Sequence, residues 1–324
     1  MNTIEVLAPG MLTTVQDLGR QGFGVMGVSP SGAADAVALR LGNRLVGNAE
    51  GMAGLEMTLL GGTFLFQHRA VIAIAGSDFG ATLEDASVGP WTSVEVQAGK
   101  TLRIGPTRTG ARCYLCVQGG IVVENFLGSA STHLLSRLGG FEGRALRKGD
   151  VLRRGATGAF RKLAVSREAL QFLGPRKVLR VTMGPQWDWF PDASRQLFLN
   201  GTHKVAEESN RMGLRLDGPK LEDPTVNGPA VGGPESRPEG EMLSEGVALG
   251  AIQIPESGNP IVLFVEQQTT GGYPKIANVI SADMNSVGQL RPRDEIRFEL
   301  IEMELARALY VEQETLLASA DVLV

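Results

Sequence analysis

Leu290-Arg-Pro-Arg-Asp-Glu-Ile296 is a polar turn that runs straight into an apolar strand. The same form stands at Gln97-Ala-Gly-Lys-Thr-Leu102 and at Leu146-Arg-Lys-Gly-Asp-Val-Leu152. Two of the three follow a glycine-bearing strand end at a similar distance. Ala75-Gly76-Ser77 precedes Gln97–Leu102, and Thr270-Gly271-Gly272 precedes Leu290–Ile296. Recurrence of a local form at matching offsets is how a repeated unit shows itself. It predicts a mostly β fold with a few helices, made of two similar β-barrel-like units in tandem. The other reading is that any β protein reuses such hairpins. The units are expected at residues 1–174 and 175–324, joined between about Val165 and Lys177, with segments that can interleave.

Composition agrees with that plan. A chain of 324 residues suits two domains. Hydrophobic content of 43 % and charged content of 20 % are ordinary globular values, enough for a sizeable core. The 42 glycines and short apolar runs favour a turn-rich β architecture. A net charge of −4 gives no reason to expect nucleic acid or an anionic membrane as partner. No apolar run nears the roughly 18 residues that cross a bilayer. Met1–Val6 has no basic stretch leading into an apolar one, so a cytoplasmic location is expected. Cys113 and Cys116 lie in a strand-like run, residues 112–118, where positions i and i+3 face opposite sides. They are expected in the core, not as a redox or zinc pair. No spacing resembles a metal site.

Further strands are expected at residues 4–7, 63–67, 71–75, 93–97, 101–104, 177–183, 250–254, 261–265, 278–282 and 295–301. Ser31 is expected to cap a helix reaching residues 43–46, with Val37, Leu41 and Leu45 on one stripe. Pro191 opens a short helix over 192–199, and a terminal helix covers 302–318. Residues 214–225 read as extended or irregular, and 227–241 as a loop.

Four clusters carry chemistry. The first is Thr13-Thr-Val-Gln16-Asp17-Leu-Gly-Arg20, in which Asp17 and Arg20 either pin a glycine loop as an ion pair or Arg20 clamps a carboxylate or phosphate. The second, Glu208-Ser-Asn210-Arg211-Met-Gly213, is either a solvated turn or a donor set for an anion. The third joins Ser244-Glu245-Gly246 to Gly250-Ala-Ile-Gln253-Ile-Pro255. Ser244 as a nucleophile would want a histidine base, and His68, His133 and His203 sit in no motif. The fourth is Gln268-Thr-Thr270-Gly271-Gly272-Tyr273-Pro-Lys275, which follows the buried-strand run 261–265. Its paired glycines let backbone approach a ligand closely, while an amide, hydroxyls, a phenol and an amine surround them. Lys275 reads as a general base, an electrostatic clamp or a plain loop lysine. No phosphate-binding glycine fingerprint is present.

In this order the clusters resemble the family that includes the C subunit of 5-oxoprolinase and the carboxyltransferase region of urea carboxylase, also called allophanate hydrolase subunit 2 or urea amidolyase-related protein. Gly27-Val-Ser-Pro-Ser-Gly-Ala-Ala-Asp35, Asn43-Arg-Leu-Val-Gly-Asn48 and Arg291-Pro-Arg-Asp294 carry the resemblance too, which spans residues 4 to about 310. It implies two cyclophilin-like β-barrel units and work in a heteromeric complex. In one branch, subunits A, B and C open 5-oxoproline to glutamate with ATP hydrolysis. In the other, a carboxyl group passes from carboxybiotin, supplied by a biotin carboxylase partner, to urea. The family also holds antagonists of kinase inhibitors, which makes a regulatory binding protein a third reading. The chain departs from the pattern at Glu266, often Asp, at Arg293, usually Gly, and at Ala34, usually Met. It has neither an ATP-binding motif nor a biotin-carrier lysine between methionines, so no cofactor is expected on this chain alone.

These readings place the site residues together in one cleft between the units. Catalysis is expected from Lys275, Tyr273, Gln268, Thr270 and Glu245. Substrate binding is expected from Gln16, Asp17, Arg20, Asn210, Arg211, Gln253, Gly271 and Gly272, on a small amide substrate. Arg211 or Arg20 would hold its carboxylate, and Lys275 or Tyr273 would polarise or protonate its amide.

Overall fold

A computed structural model gives the structure of residues 2–222 and 242–324. The expected loop at 227–241 lies outside the described residues. The chain divides into two compact units, and the division is not a single cut. The first comprises Met1–Gln21, Ser31–Gly174 and Thr315–Val324; the second comprises Gly22–Pro30 and Pro175–Glu314. The end of the terminal helix thus leaves the expected 175–324 unit. The reason is apolar burial: Leu317 and Val322 are wholly buried beside Val165, Ala169 and Leu173 of the first unit.

The first unit packs a seven-stranded sheet on a five-stranded one, all pairs antiparallel. Strand Thr3–Ala8 alternates inward Ile4 and Val6 with outward neighbours, the pattern of a half-buried strand. These two meet Leu55, Ile72 and Leu115 of the other sheet in one core. Central strand Arg112–Val117 is buried along its whole length because it is covered on both faces. Cys113 points into the core between the sheets and Cys116 into a second core under the helix Ala36–Leu45. Both are free thiols. The helix lies so close that a Cβ at Gly42 would stand 2.6 Å from the Cys116 Sγ, so glycine is required there. Its cap is Asp35, whose carboxylate accepts from the Ala38 amide; Ser31, at φ +56°, is outside the capping geometry.

The second unit is a closed barrel of seven strands. Val178–Met183 pairs antiparallel with Lys275–Val279 on one side and parallel with Glu295–Leu300 on the other, which closes it. Ala251–Gln253, Ile261–Leu263, Gly213–Asp217 and His203–Val205 complete the ring. The strand expected at 278–282 begins earlier, at Lys275, and ends at Val279; a 3-10 turn, Ser281–Asp283, and a short helix, Met284–Gly288, follow. Helix Asp192–Asn200 starts after Pro191 as the sequence predicts. No helix among the described residues is long and apolar enough to cross a membrane.

Two features of this barrel are testable. Arg293 sits at φ +72°, where glycine is at ease and other residues are strained. Its ion pair with Glu207 is exposed and contributes little. Arg293→Gly should therefore hold or raise stability by up to about 1 kcal/mol, read from the urea midpoint. His203 is fully buried against Phe198 and Phe298, with Nε2 on the Phe198 carbonyl. Burial pushes the imidazole below its ordinary pKa, against the opposing pull of that carbonyl. The unfolded chain then binds the extra proton first, so stability falls as pH drops below about 6.5, until the folded ring protonates. His203→Leu should flatten this part of the stability–pH curve, measured by urea unfolding between pH 5 and 7.5.

Candidate active site

Lys275 opens its strand directly after Pro274, and a register shift between Ile252 and Gln253 sets it opposite Gln253. Such a bulge re-aims a side chain at the end of a ladder. Lys275 is 4 % exposed, yet its Nζ bonds the Oε1 of Glu245, whose side chain is 46 % exposed. The buried ammonium thus meets solvent through its partner. Glu245 comes from a two-residue strand, Glu245–Gly246, paired on Thr270–Gly271 with Glu245 opposite Gly271. Two sequence clusters that are separate along the chain therefore meet at this small ladder.

Gln186 completes the group. Its Nε2 donates to Glu245 Oε1 at 2.9 Å, and its Oε1 accepts from the Lys275 main-chain amide at 3.0 Å. The hydrogen bond from Lys275 above all, aided by that from Gln186, holds the Glu245 carboxyl below the usual carboxylate range against the opposing effect of burial. Glu245 is a carboxylate at neutral pH, and Lys275 faces it as an ion pair. That arrangement suits Lys275 as a hydrogen-bonding cation; a general base would need a free amine lone pair. Sequence reading did not single out Gln186. The available signal was a polar residue in a Gly184-Pro185-Gln186 turn at the end of a strand, the same form that flagged the Gly271-Gly272 turn.

Gln268 donates its amide to Gln253 Oε1 at 3.0 Å. Gln253 is fully buried, and its Nε2 has no partner among the described residues. A Cβ at Gly271 would stand 2.5 Å from that nitrogen, so only glycine leaves the amide its place. At Gly272 a Cβ would press on the Met242 carbonyl at 3.1 Å. Tyr273 and Thr270 are exposed at the rim of this group.

Arg211 stands in a different setting. Its Nε donates to Glu266, both side chains are buried, and the Glu266 amide donates to the Arg211 carbonyl. Glu266, one of the residues at which the sequence departs from the expected pattern, is thus a counter-ion of a candidate binding arginine. Asn210 is exposed, and its Oδ1 accepts from the Met212 amide, which shapes the turn.

Gln16, Asp17 and Arg20 belong to the first unit. Gln16 is wholly buried, donating to Thr14 and to the Thr132 carbonyl. The Asp17 carboxylate accepts from the hydroxyls of Ser129 and Ser131 and from the amides of Ala130 and Gly19. Arg20, also buried, donates to the carbonyls of Ser131 and Phe126 and lies over the Phe126 ring. Asp17 and Arg20 thus each bond to the loop around residues 126–132, whereas one of the two sequence readings pairs them with each other. An open groove of about 470 Å3 lies nearby, with Phe126, Phe141, Glu142 and Arg153 on its walls; none of the sequence-predicted site residues lines it.

In the second unit, then, the hydrogen-bonded Lys275–Glu245–Gln186 group and the hydrogen-bonded Gln253–Gln268 amides lie side by side, brought together by the pairing of Gln253 with Lys275 and of Glu245 with Gly271. Donors gathered in this way, largely buried and edged by the exposed Thr270 and Tyr273, have the chemistry that can stabilise charge developing on a carbonyl oxygen. Comparison with known proteins gives it context. Residues 26–300 match the carboxyltransferase domain, subdomain A and B. The chain is 36 % identical to the C subunit of 5-oxoprolinase from Haemophilus influenzae, over 96 % of this chain and 95 % of that one. It is 35 % identical to urea amidolyase of Saccharomyces cerevisiae over 98 % of this chain but 18 % of that one. The crystal structure of Kluyveromyces lactis urea carboxylase superposes with a TM-score of 0.87 at 32 % identity, covering 99 % of this chain and 30 % of that one.

Proposed function

Because this chain belongs to the carboxyltransferase-domain family of subdomains A and B, we propose that it is the C subunit of an ATP-dependent 5-oxoprolinase, opening 5-oxo-L-proline to L-glutamate with partner subunits A and B. One observation carries the choice. The match to the 5-oxoprolinase polypeptide runs over nearly the full length of both chains, whereas the match to urea amidolyase covers under a fifth of the larger enzyme. The chemistry of the site supports it. 5-Oxoproline presents a lactam carbonyl oxygen and N–H, and the Lys275 ammonium with the Gln253 and Gln268 amides offers donors and an acceptor for that pair.

Lys275 is the cation assigned to the lactam, with Tyr273 and Thr270 at the rim. Arg20 and Arg211, each bonded within its own unit, shape loops in this reading. ATP is used with the partner subunits, and the complex works in the cytoplasm. The test is reconstitution. This chain purified with subunits A and B should release glutamate from 5-oxoproline only when ATP and all three are present. Full release without this chain would refute the assignment.

A second reading has its own support, the 0.87 TM-score against urea carboxylase. In it the same donors would grip urea, with carboxybiotin brought by a biotin carboxylase partner.

A further inference from the structure

We propose that Gln186 is a positioning residue of the active site, fixing the Lys275–Glu245 pair from both ends; this rests on the 5-oxoprolinase reading. Its amide binds the two partners by different atoms. Nε2 holds the very oxygen of Glu245 that receives the Lys275 ammonium, and Oε1 holds the Lys275 backbone. Glu245 Oε1 therefore takes two donors at once, which fixes the direction of the carboxylate and of the lysine stem. The main-chain amide of Gln186 also donates to the Lys275 carbonyl at 3.3 Å, so side chain and backbone grip the same residue.

The fold supports a positioning role over a merely space-filling one. Gln186 is 6 % exposed, while Glu245, the residue it orients, reaches solvent. It stands between a strand and the 3-10 turn Trp187–Trp189, which sets its backbone independently of the Glu245–Gly271 ladder. Gly184 is held too: a Cβ there would collide with the Lys275 carbonyl. The segment is thus packed directly on the start of the lysine strand. No other charged group is hydrogen-bonded to Glu245 among the described residues beyond Lys275.

The test uses Gln186→Met, which keeps length and removes both polar atoms, and Gln186→Glu, which keeps the acceptor and adds a carboxylate beside Glu245. Two readouts are needed: the carbon-13 titration of the Glu245 carboxyl in the full chain, and kcat and KM for 5-oxoproline in the reconstituted complex. In Gln186→Met the carboxyl midpoint should move upward, and kcat should fall roughly 10- to 100-fold with KM changed less than about threefold. Gln186→Glu should move the midpoint upward further. A wild-type midpoint in both variants, or a wild-type kcat in Gln186→Met, overturns the proposal. If Gln186→Met does not fold, Gln186→Asn, which draws the same amide back from both partners without adding charge, takes its place with the same readouts and the same expected direction. Should the wild-type complex fail to turn over 5-oxoproline, the functional reading falls, and the titration still judges the positioning.

Discussion

Lys275→Met is expected to lower kcat/KM of the reconstituted complex by about 10²- to 10³-fold while leaving the chain folded. The activity part follows from geometry. Among the described residues, Lys275 is the one cation hydrogen-bonded into the Glu245–Gln186 group, beside the Gln253–Gln268 amides. Removing a preorganised donor costs more in the transition state than in the ground state, so kcat should carry most of the loss. The stability part follows from burial. The partner left behind, Glu245, is nearly half exposed and returns to water. Glu245→Gln behaves the other way. It strands a buried ammonium, so it should cost stability, about 1–3 kcal/mol, as well as activity. The folded pKa of Glu245 is depressed, so the pair's contribution is present above the ordinary carboxylate range and is lost as pH falls through the lower folded value. Thermal melts of both variants beside steady-state kinetics would check this asymmetry. A Lys275→Met chain that unfolds, or one that keeps its rate, contradicts it.

Arg211→Ala should destabilise the second unit by about 3–5 kcal/mol, measured by urea unfolding of the full chain. Both side chains of the Arg211–Glu266 pair are at most 5 % exposed, so deletion leaves a carboxylate in a poor solvent without its guanidinium. Replacing both by leucine should recover part of the loss, because the Glu266 carboxylate is then no longer left behind. Glu266→Asp, the shorter carboxylate, should cost less than Arg211→Ala, since the charge stays and only its reach shortens. A near-neutral Arg211→Ala would contradict this loop-shaping role.

Much of this was legible in the chain. Alternation in Thr3–Ala8 and the opposed faces of Cys113 and Cys116 follow from period-two patterning, whereas the continuous burial of Arg112–Val117 follows from its unbroken apolar run, covered on both faces. The clusters at Glu245 and Lys275 were visible because polar residues crowd beside glycines. What was not legible is pairing at long range. The Arg211–Glu266 pair joins residues 55 apart, and Gln186 reaches Lys275 across 89. Nothing local marks either. The bulge that sets Lys275 opposite Gln253 lies in a ladder whose register a single strand does not display. The helix cap went to Asp35 because hydrogen-bond reach to the Ala38 amide, not the first hydroxyl in the run, decides a cap.

The most direct measurement is a paired assay of the complex: glutamate from 5-oxoproline and carboxylated product from urea, each with ATP and each with and without avidin. A 5-oxoprolinase containing this chain gives ATP-dependent glutamate that avidin does not touch, and the signal disappears when the chain is withheld. Avidin-sensitive carboxylation of urea, with no glutamate formed, would contradict that assignment and place the chain on the carboxyltransferase side of its family.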